Sequence, residues 1–144
     1  MGIAWGVIVI ALSLLCWGGQ AVSWLAHPTA VRLKLTEGED SVEPAYFAWM
    51  RGEALWDSLT LWTTIAAGVL LVLDIPAWAY FGLVGGGIYA YFGGLGITSR
   101  LAMSRRGIRL GDPQNVTIGY VFFAIWGVMG VITLIAAVVA LPTP

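Results

Sequence analysis

Three long stretches of this chain contain no Asp, Glu, Lys or Arg, and they restrict its fold more than any other feature. They are Ile3–Ala26, Pro76–Ser99 and Val116–Leu141. A helix needs about 20 apolar residues to cross the roughly 30 Å hydrocarbon core of a bilayer. Each stretch is long enough, so the sequence predicts three membrane-spanning helices from these stretches alone.

A fourth apolar stretch, Ser58–Leu73, is shorter. Its residues would form only about 24 Å of helix at ~1.5 Å per residue. A spanning helix must therefore begin near Ala54, which places Asp57 about one turn inside the membrane and Glu53 at its edge. The predicted fold is an all-α polytopic membrane protein with four antiparallel transmembrane helices in a single domain. The predicted spans are residues 3–26, 54–73, 76–99 and 114–141 of the domain 1–144.

The composition excludes several classes of protein. The chain has 144 residues, of which 59% are hydrophobic and 10% charged, whereas soluble domains are about a quarter charged. A net charge of −1 argues against a nucleic-acid partner. One cysteine and one histidine cannot build a cysteine cluster or a multi-histidine metal site. No nucleophile–base pair is recognisable, so we expect neither an enzyme nor a metal or other cofactor.

The basic residues predict how the chain is oriented. Helices two and three are joined only by Asp74 and Ile75, so both longer connections must lie on one side of the membrane. These connections carry every Lys and Arg in the chain, namely Arg32, Lys34, Arg51, Arg100, Arg105, Arg106 and Arg109. The positive-inside rule places them in the cytoplasm and both termini outside. We expect a prokaryotic plasma (inner) membrane protein with the lipid bilayer as its surroundings.

Two local patterns mark where helices begin. Residues 42–53 predict an interfacial helix that leads into helix two, because Tyr46, Phe47 and Trp49 resemble the aromatic belt at a membrane surface. Asp112 followed by Pro113 fits an N-cap and first helical residue of helix four. We therefore expect structured rather than extended connections.

The candidate site lies where helix two enters the membrane. Glu53, Asp57, Thr60 and Thr64 follow at offsets of four, three and four residues, which places them on one helical face. On helix one, a similar stripe is formed by Ser13, Trp17, Gln20, Trp24 and His27. Polar residues at membrane depth usually face the bundle interior. We expect the two stripes to face each other, with a contact between His27 and a carboxylate.

This cluster has two interpretations. It could form a polar cavity that binds a cation or a proton, since neighbouring carboxylates repel each other unless a positive charge compensates. Alternatively, Arg51, Arg100 or His27 neutralises the carboxylates, and the cluster only fixes the helix at the interface. The first interpretation predicts a small, oligomeric cation- or proton-linked transporter or permeation unit. The second fits a non-catalytic subunit or assembly protein of a larger membrane complex.

Helix three carries small residues at every fourth position. They are Gly82, Gly86, Ala90 and Gly94, and such a run allows another helix to approach closely. The simpler interpretation is packing within the bundle. The alternative is a contact with a second copy of the chain or with another membrane protein.

Overall fold

The computed structural model describes residues 2–141, and this part of the chain is helical without any strand. Its six α-helices are α1 (Gly2–Leu25), α2 (His27–Arg32), α3 (Pro44–Thr60), α4 (Trp62–Val72), α5 (Trp78–Arg105) and α6 (Pro113–Ala140). A single 3-10 turn, Glu39–Ser41, precedes α3. The short helix α2 belongs to the first long connection.

Four helical segments are long and apolar enough to cross a membrane: α1, the α3–α4 unit Pro44–Val72, α5 and α6. The predicted fold of four antiparallel membrane helices is confirmed. Two boundaries differ from those predicted by more than two residues. Helix α5 continues to Arg105, beyond the expected end at Ser99. The segment predicted as an interfacial helix is the first half of α3, and its position at a membrane surface stays a prediction.

Both long connections lie at one end of the bundle, which we call the loop end. They dock on each other through the Glu43 amide, which donates to the Arg109 carbonyl at 2.8 Å, and through the Arg109 guanidinium, which donates to the Val42 carbonyl. The Asp112 side chain accepts from the amide of Gln114 at 2.9 Å and caps α6 as predicted. The connections therefore hold the starts of α3 and α6 together.

Glycine brings two pairs of helices into backbone contact. A Cβ on Gly6 of α1 would lie 3.0 Å from the carbonyl oxygen of Gly68 in α4. A Cβ on Gly86 of α5 would lie 2.8 Å from the carbonyl oxygen of Gly130 in α6. Helices α4 and α5 join these pairs, whereas α1 and α6 touch each other at few positions. The bundle is consequently tight along three seams and loose along the fourth.

The predicted small-residue run divides between two surfaces. Gly82, Gly86 and Ala90 lie against α6, where a Cβ on Gly82 would come within 3.0 Å of the Ala137 methyl group. Gly94 is exposed and has open space around it. Packing within the bundle explains the first three residues. A contact with a second copy or another membrane protein through this helix stays a prediction.

Two adjacent glycines provide a test of the α5–α6 seam. A Cβ on Gly93 would lie 2.5 Å from the Phe123 carbonyl oxygen and 2.6 Å from Cα of Gly127, whereas one on Gly94 would meet nothing within 4 Å. We expect Gly93→Ala to lower the free energy of unfolding by about 1–3 kcal/mol, because it overpacks the seam. Gly94→Ala, the control, should have no destabilising effect. Equal losses in thermal unfolding of the two variants in detergent would contradict this packing.

Candidate functional site

Glu53 is neutralised by Arg100. The guanidinium Nη2 of Arg100 lies 2.9 Å from Oε2 of Glu53, and both side chains are 11% exposed. The other nitrogens of Arg100 donate to the Tyr46 hydroxyl at 3.0 Å and to the Gly96 carbonyl at 3.2 Å. Its guanidinium also stacks 4.3 Å from the centre of the Phe123 ring. The ion pair thus ties α3 to α5 and places one positive charge against one negative charge.

Arg51 does not pair with a carboxylate. Its guanidinium donates to the backbone carbonyls of Ser23 and Trp24, at 2.8 Å in the second case, and lies over the Trp24 ring. These carbonyls belong to the last turn of α1, where a helix has no backbone donors of its own and carries partial negative charge. Arg51 therefore caps α1 and fixes α3 beside it.

His27 does not contact a carboxylate either, so the expected contact is absent. Its ring meets the ring of Phe47 edge-on, with the centroids 5.3 Å apart. Neither ring nitrogen has a hydrogen-bond partner. Burial and the positive charge of Arg51 lower the pKa of His27, which favours the neutral ring. His27 is consequently not the group that neutralises Glu53 or Asp57.

Of the two carboxylates of the predicted site, Asp57 is the one without a cationic partner. It is only 6% exposed, and its Oδ2 atom has no hydrogen-bond partner. Across residues 2–141, the single ion pair is the one between Arg100 and Glu53. A carboxylate at membrane depth without a partner is costly and is by default a candidate functional group. Of the two expected interpretations, neutralisation therefore describes Glu53 but not Asp57.

The hydrogen-bond ladder of the second membrane helix is interrupted at Leu61, one turn beyond Asp57, and we call this point the break. The Leu61 backbone itself remains helical, with φ −67° and ψ −19°. Helix α3 ends at Thr60 and α4 begins at Trp62. The Ser58 carbonyl, which would accept from the Trp62 amide in a continuous helix, accepts instead from the indole Nε1 of Trp17 at 2.9 Å. A side chain that inserts into the hydrogen-bond ladder is an established cause of helix kinks. Trp17 of α1 therefore accounts for the break.

Side chains satisfy the other carbonyls at the break as well. The Trp62 indole donates to the Leu59 carbonyl at 3.0 Å. The Thr63 hydroxyl donates to the Thr60 carbonyl at 2.9 Å. Few backbone oxygens at this point are consequently left to bind another group.

The predicted polar face of helix two does not remain on one side. The Thr60 hydroxyl donates to the Trp56 carbonyl in an exposed hydrogen bond. Thr64 is completely buried, and its hydroxyl has no hydrogen-bond partner. It packs against α5, where a Cβ on Gly85 would lie 2.8 Å from Cα of Thr64. Asp57 and Thr64 therefore face the bundle interior, and Thr60 does not.

A cavity of about 250 Å³ lies at the loop end between α1, α3, α5 and α6. Among the predicted site residues, Gln20 and Glu53 line it, but Asp57, Trp24 and His27 do not. Glu53 and Ala54, which precede Asp57 by four and three residues, both form part of the wall. Because residues at these offsets are neighbours on a helix, the cavity approaches Asp57 from the loop end.

Sequence reasoning missed several parts of this site. Tyr46, predicted as an interfacial aromatic, holds the Arg100 guanidinium. Asn115, next to the start of α6, donates to Glu37 at 3.0 Å across the cavity mouth. Trp17 had a place in the polar stripe of helix one, but its role at the helix break depends on a contact between helices. No local pattern predicts these three roles.

No protein-family model matches the chain, and neither a curated protein nor a solved structure matches it. Three features define the candidate site: the unpartnered Asp57, the helix break beside it, and the cavity that leads toward it.

Proposed function

We propose that this small membrane protein is a proton-linked transporter in which Asp57 takes up and releases the proton. The observation that carries the proposal is the buried Asp57 carboxylate with an unpartnered oxygen. Ionisable residues inside a membrane commonly mark proton relays and ion pathways. The neighbouring Glu53 is held by Arg100, which leaves Asp57 as the group able to change its charge.

The break at Leu61 supports transport. Transporters commonly bind substrates and coupling ions at irregular points of membrane helices, and Leu61 is such a point although its backbone remains helical. Here the last turn of α3 carries Asp57, and α4 continues after a single intervening residue. In this proposal the loop end, with its basic residues, lies in the cytoplasm. The cavity then gives protons a route to Asp57 from the cytoplasmic side.

The coupling ion in this proposal is a proton rather than a metal cation. Na⁺ and Ca²⁺ sites need several oxygen ligands. At this break, the carbonyls of Ser58, Leu59 and Thr60 already accept hydrogen bonds from protein side chains. A proton needs only one carboxylate oxygen, and Asp57 supplies it.

A second candidate function is that of a non-catalytic subunit, favoured by the outer face of α5. Tyr80 and Tyr91 are 61% and 69% exposed there. Gly87 and Gly94 lie on the same face with open space beside them. Small residues between large ones suit close packing of another membrane helix. This surface is compatible with an oligomeric transporter as well.

Infrared spectroscopy tests the proton-carrying role of Asp57 directly. In wild-type protein in lipid, titration should show a carboxylic-acid C=O band that appears and disappears reversibly and shifts in D₂O. The band should be missing in Asp57→Asn. Glu39→Gln, which changes an exposed residue of the loop end, should retain it. A spectrum of Asp57→Asn that is identical to wild type at every pH would overturn the proposal.

A further inference from the structure

We infer that the loop-end cavity binds a small organic ammonium ion with an apolar body. This ion would be the substrate of the proposed transporter, so the inference rests on the proposed function. Three observations support the inference. The cavity has free hydrogen-bond acceptors, its inner end is aromatic, and it opens between two helices.

The free polar groups of the cavity suit a donor ligand. Each Arg100 nitrogen already donates one hydrogen bond, to Tyr46, Gly96 or Glu53, which engages three of its five N–H groups. Within residues 2–141, Glu53 accepts only through Oε2, so Oε1 remains available, and Gln20 makes no hydrogen bond. A carboxylate oxygen and an amide oxygen can both accept from an ammonium group, and a charged donor strengthens such bonds.

The inner end of the cavity suits an apolar body. Its aromatic lining residues are Phe92, Phe122, Phe123 and Trp126. Aromatic faces attract cations as well as apolar groups. The volume of about 250 Å³ lies below the range of roughly 300–1,000 Å³ that holds drug-sized ligands. The ligand is therefore a small amine with a single ring or a short alkyl body.

The cavity opens sideways between α1 and α6. Gly19 of α1 and Gly119 of α6 line it, and a Cβ on either would meet nothing within 4 Å. Leu15 and Ile118, which also line it, are 52% and 46% exposed on the outer surface. An amphipathic amine dissolved in the bilayer could enter between these helices with its apolar body first. At the mouth, Lys34 and Glu37 provide one charge of each sign.

Calorimetry with three probes that share a phenethyl body but differ in charge tests the ligand class. The probes are phenethylammonium, neutral phenethyl alcohol and anionic 3-phenylpropionate, titrated into the purified full-length protein in detergent. We expect phenethylammonium to bind at least about tenfold more tightly than the other two, since only it pairs with Glu53. Equal or tighter binding of the alcohol or the anion would overturn the inference.

Two glycine variants and one glutamine variant test whether phenethylammonium binds in this cavity. Gly119→Leu should fill the cavity and weaken phenethylammonium binding about tenfold or more, because the ligand and the new side chain compete for one space. Gly94→Leu, which adds the same side chain on an open outer face, should bind as wild type does. Gln20→Ala should weaken binding without disturbing the Glu53–Arg100 pair. Unchanged binding in both Gly119→Leu and Gln20→Ala would exclude this cavity.

Different experimental results would contradict the inference and the proposed function. Asp57→Asn should still bind phenethylammonium, since Asp57 does not line the cavity, while losing its titrating carboxyl band. A wild-type protein with that band but without ammonium binding would overturn the inference and leave the proton-carrying role intact. A phospholipid that copurifies with wild type and is lost in Gly119→Leu would assign the cavity to lipid and likewise overturn the inference.

Discussion

Replacement of Asp57 by asparagine is expected to reduce proton movement through the protein to the level of protein-free liposomes. The amide has nearly the shape of the carboxyl group but cannot bind and release a proton. Because Asp57 Oδ2 has no hydrogen-bond partner, the exchange breaks no hydrogen bond of that atom, and the fold should be retained. The measurement follows an entrapped pH-sensitive dye after a pH gradient is imposed on proteoliposomes, with the membrane potential clamped by K⁺ and valinomycin.

Asp74→Asn is the matched control for this experiment. Asp74 is exposed in the turn between α4 and α5, where its φ is 55°, and asparagine tolerates this left-handed conformation. We expect Asp74→Asn to move protons as wild type does. Asp57→Asn with wild-type proton movement and an unchanged unfolding temperature would exclude Asp57 as the proton carrier.

Breaking the Glu53–Arg100 pair is expected to be the most destabilising single change at the loop end. Glu53→Gln leaves a guanidinium that is 11% exposed without its carboxylate. Loss of one partner of a buried ion pair costs about 3–5 kcal/mol, because the remaining charge stays desolvated. Arg100→Gln should have a similar effect, since it also removes the donor to the Tyr46 hydroxyl. The free energy of unfolding can be measured in mixed micelles with increasing denaturing detergent.

The double variant measures how much stability the interaction between Glu53 and Arg100 contributes, apart from their other contacts. Glu53→Gln combined with Arg100→Gln should lose much less stability than the sum of the single variants, because no unpaired charge is left. Arg105→Gln, an exposed position at the end of the same helix, should be nearly neutral and serves as the control. Additive losses in the double variant would mean that the two side chains do not interact.

The membrane spans were predictable because they depend on local properties. The length of an uncharged stretch and the thickness of a bilayer define a spanning helix without any knowledge of its neighbours. The cap of α6 was equally local, since Asp112 bonds amides two and three residues away. The sequence also predicts that Asp57 is drawn into the membrane, because the fourth apolar stretch is too short without it.

The geometry of the site was not predictable because it depends on contacts between distant residues. Glu53 and Arg100 are separated by 47 positions, and the sequence offered Arg51 and His27 as equally suitable partners. The helix break lies in a segment without proline or glycine. It arises from Trp17, which is 41 positions away from Ser58. For the same reason, the expected polar face of helix two is divided, with Thr60 outside.

The glycine contacts determine which parts of the molecule can move relative to each other. Helices α1 and α4 approach closely at Gly6 and Gly68, and α5 and α6 at Gly86 and Gly130, where backbone atoms of the partner helix lie 3.0 Å or less from the place a Cβ would occupy. Each pair should therefore behave as one rigid body. The pairs meet along α4 and α5, whereas α1 and α6 have few contacts, among them the hydrogen bond that the Trp126 indole donates to the Leu12 carbonyl at 3.1 Å. A rotation about the α4–α5 seam would widen or narrow the gap between α1 and α6, and such a rotation would change access to Asp57 without unfolding any helix.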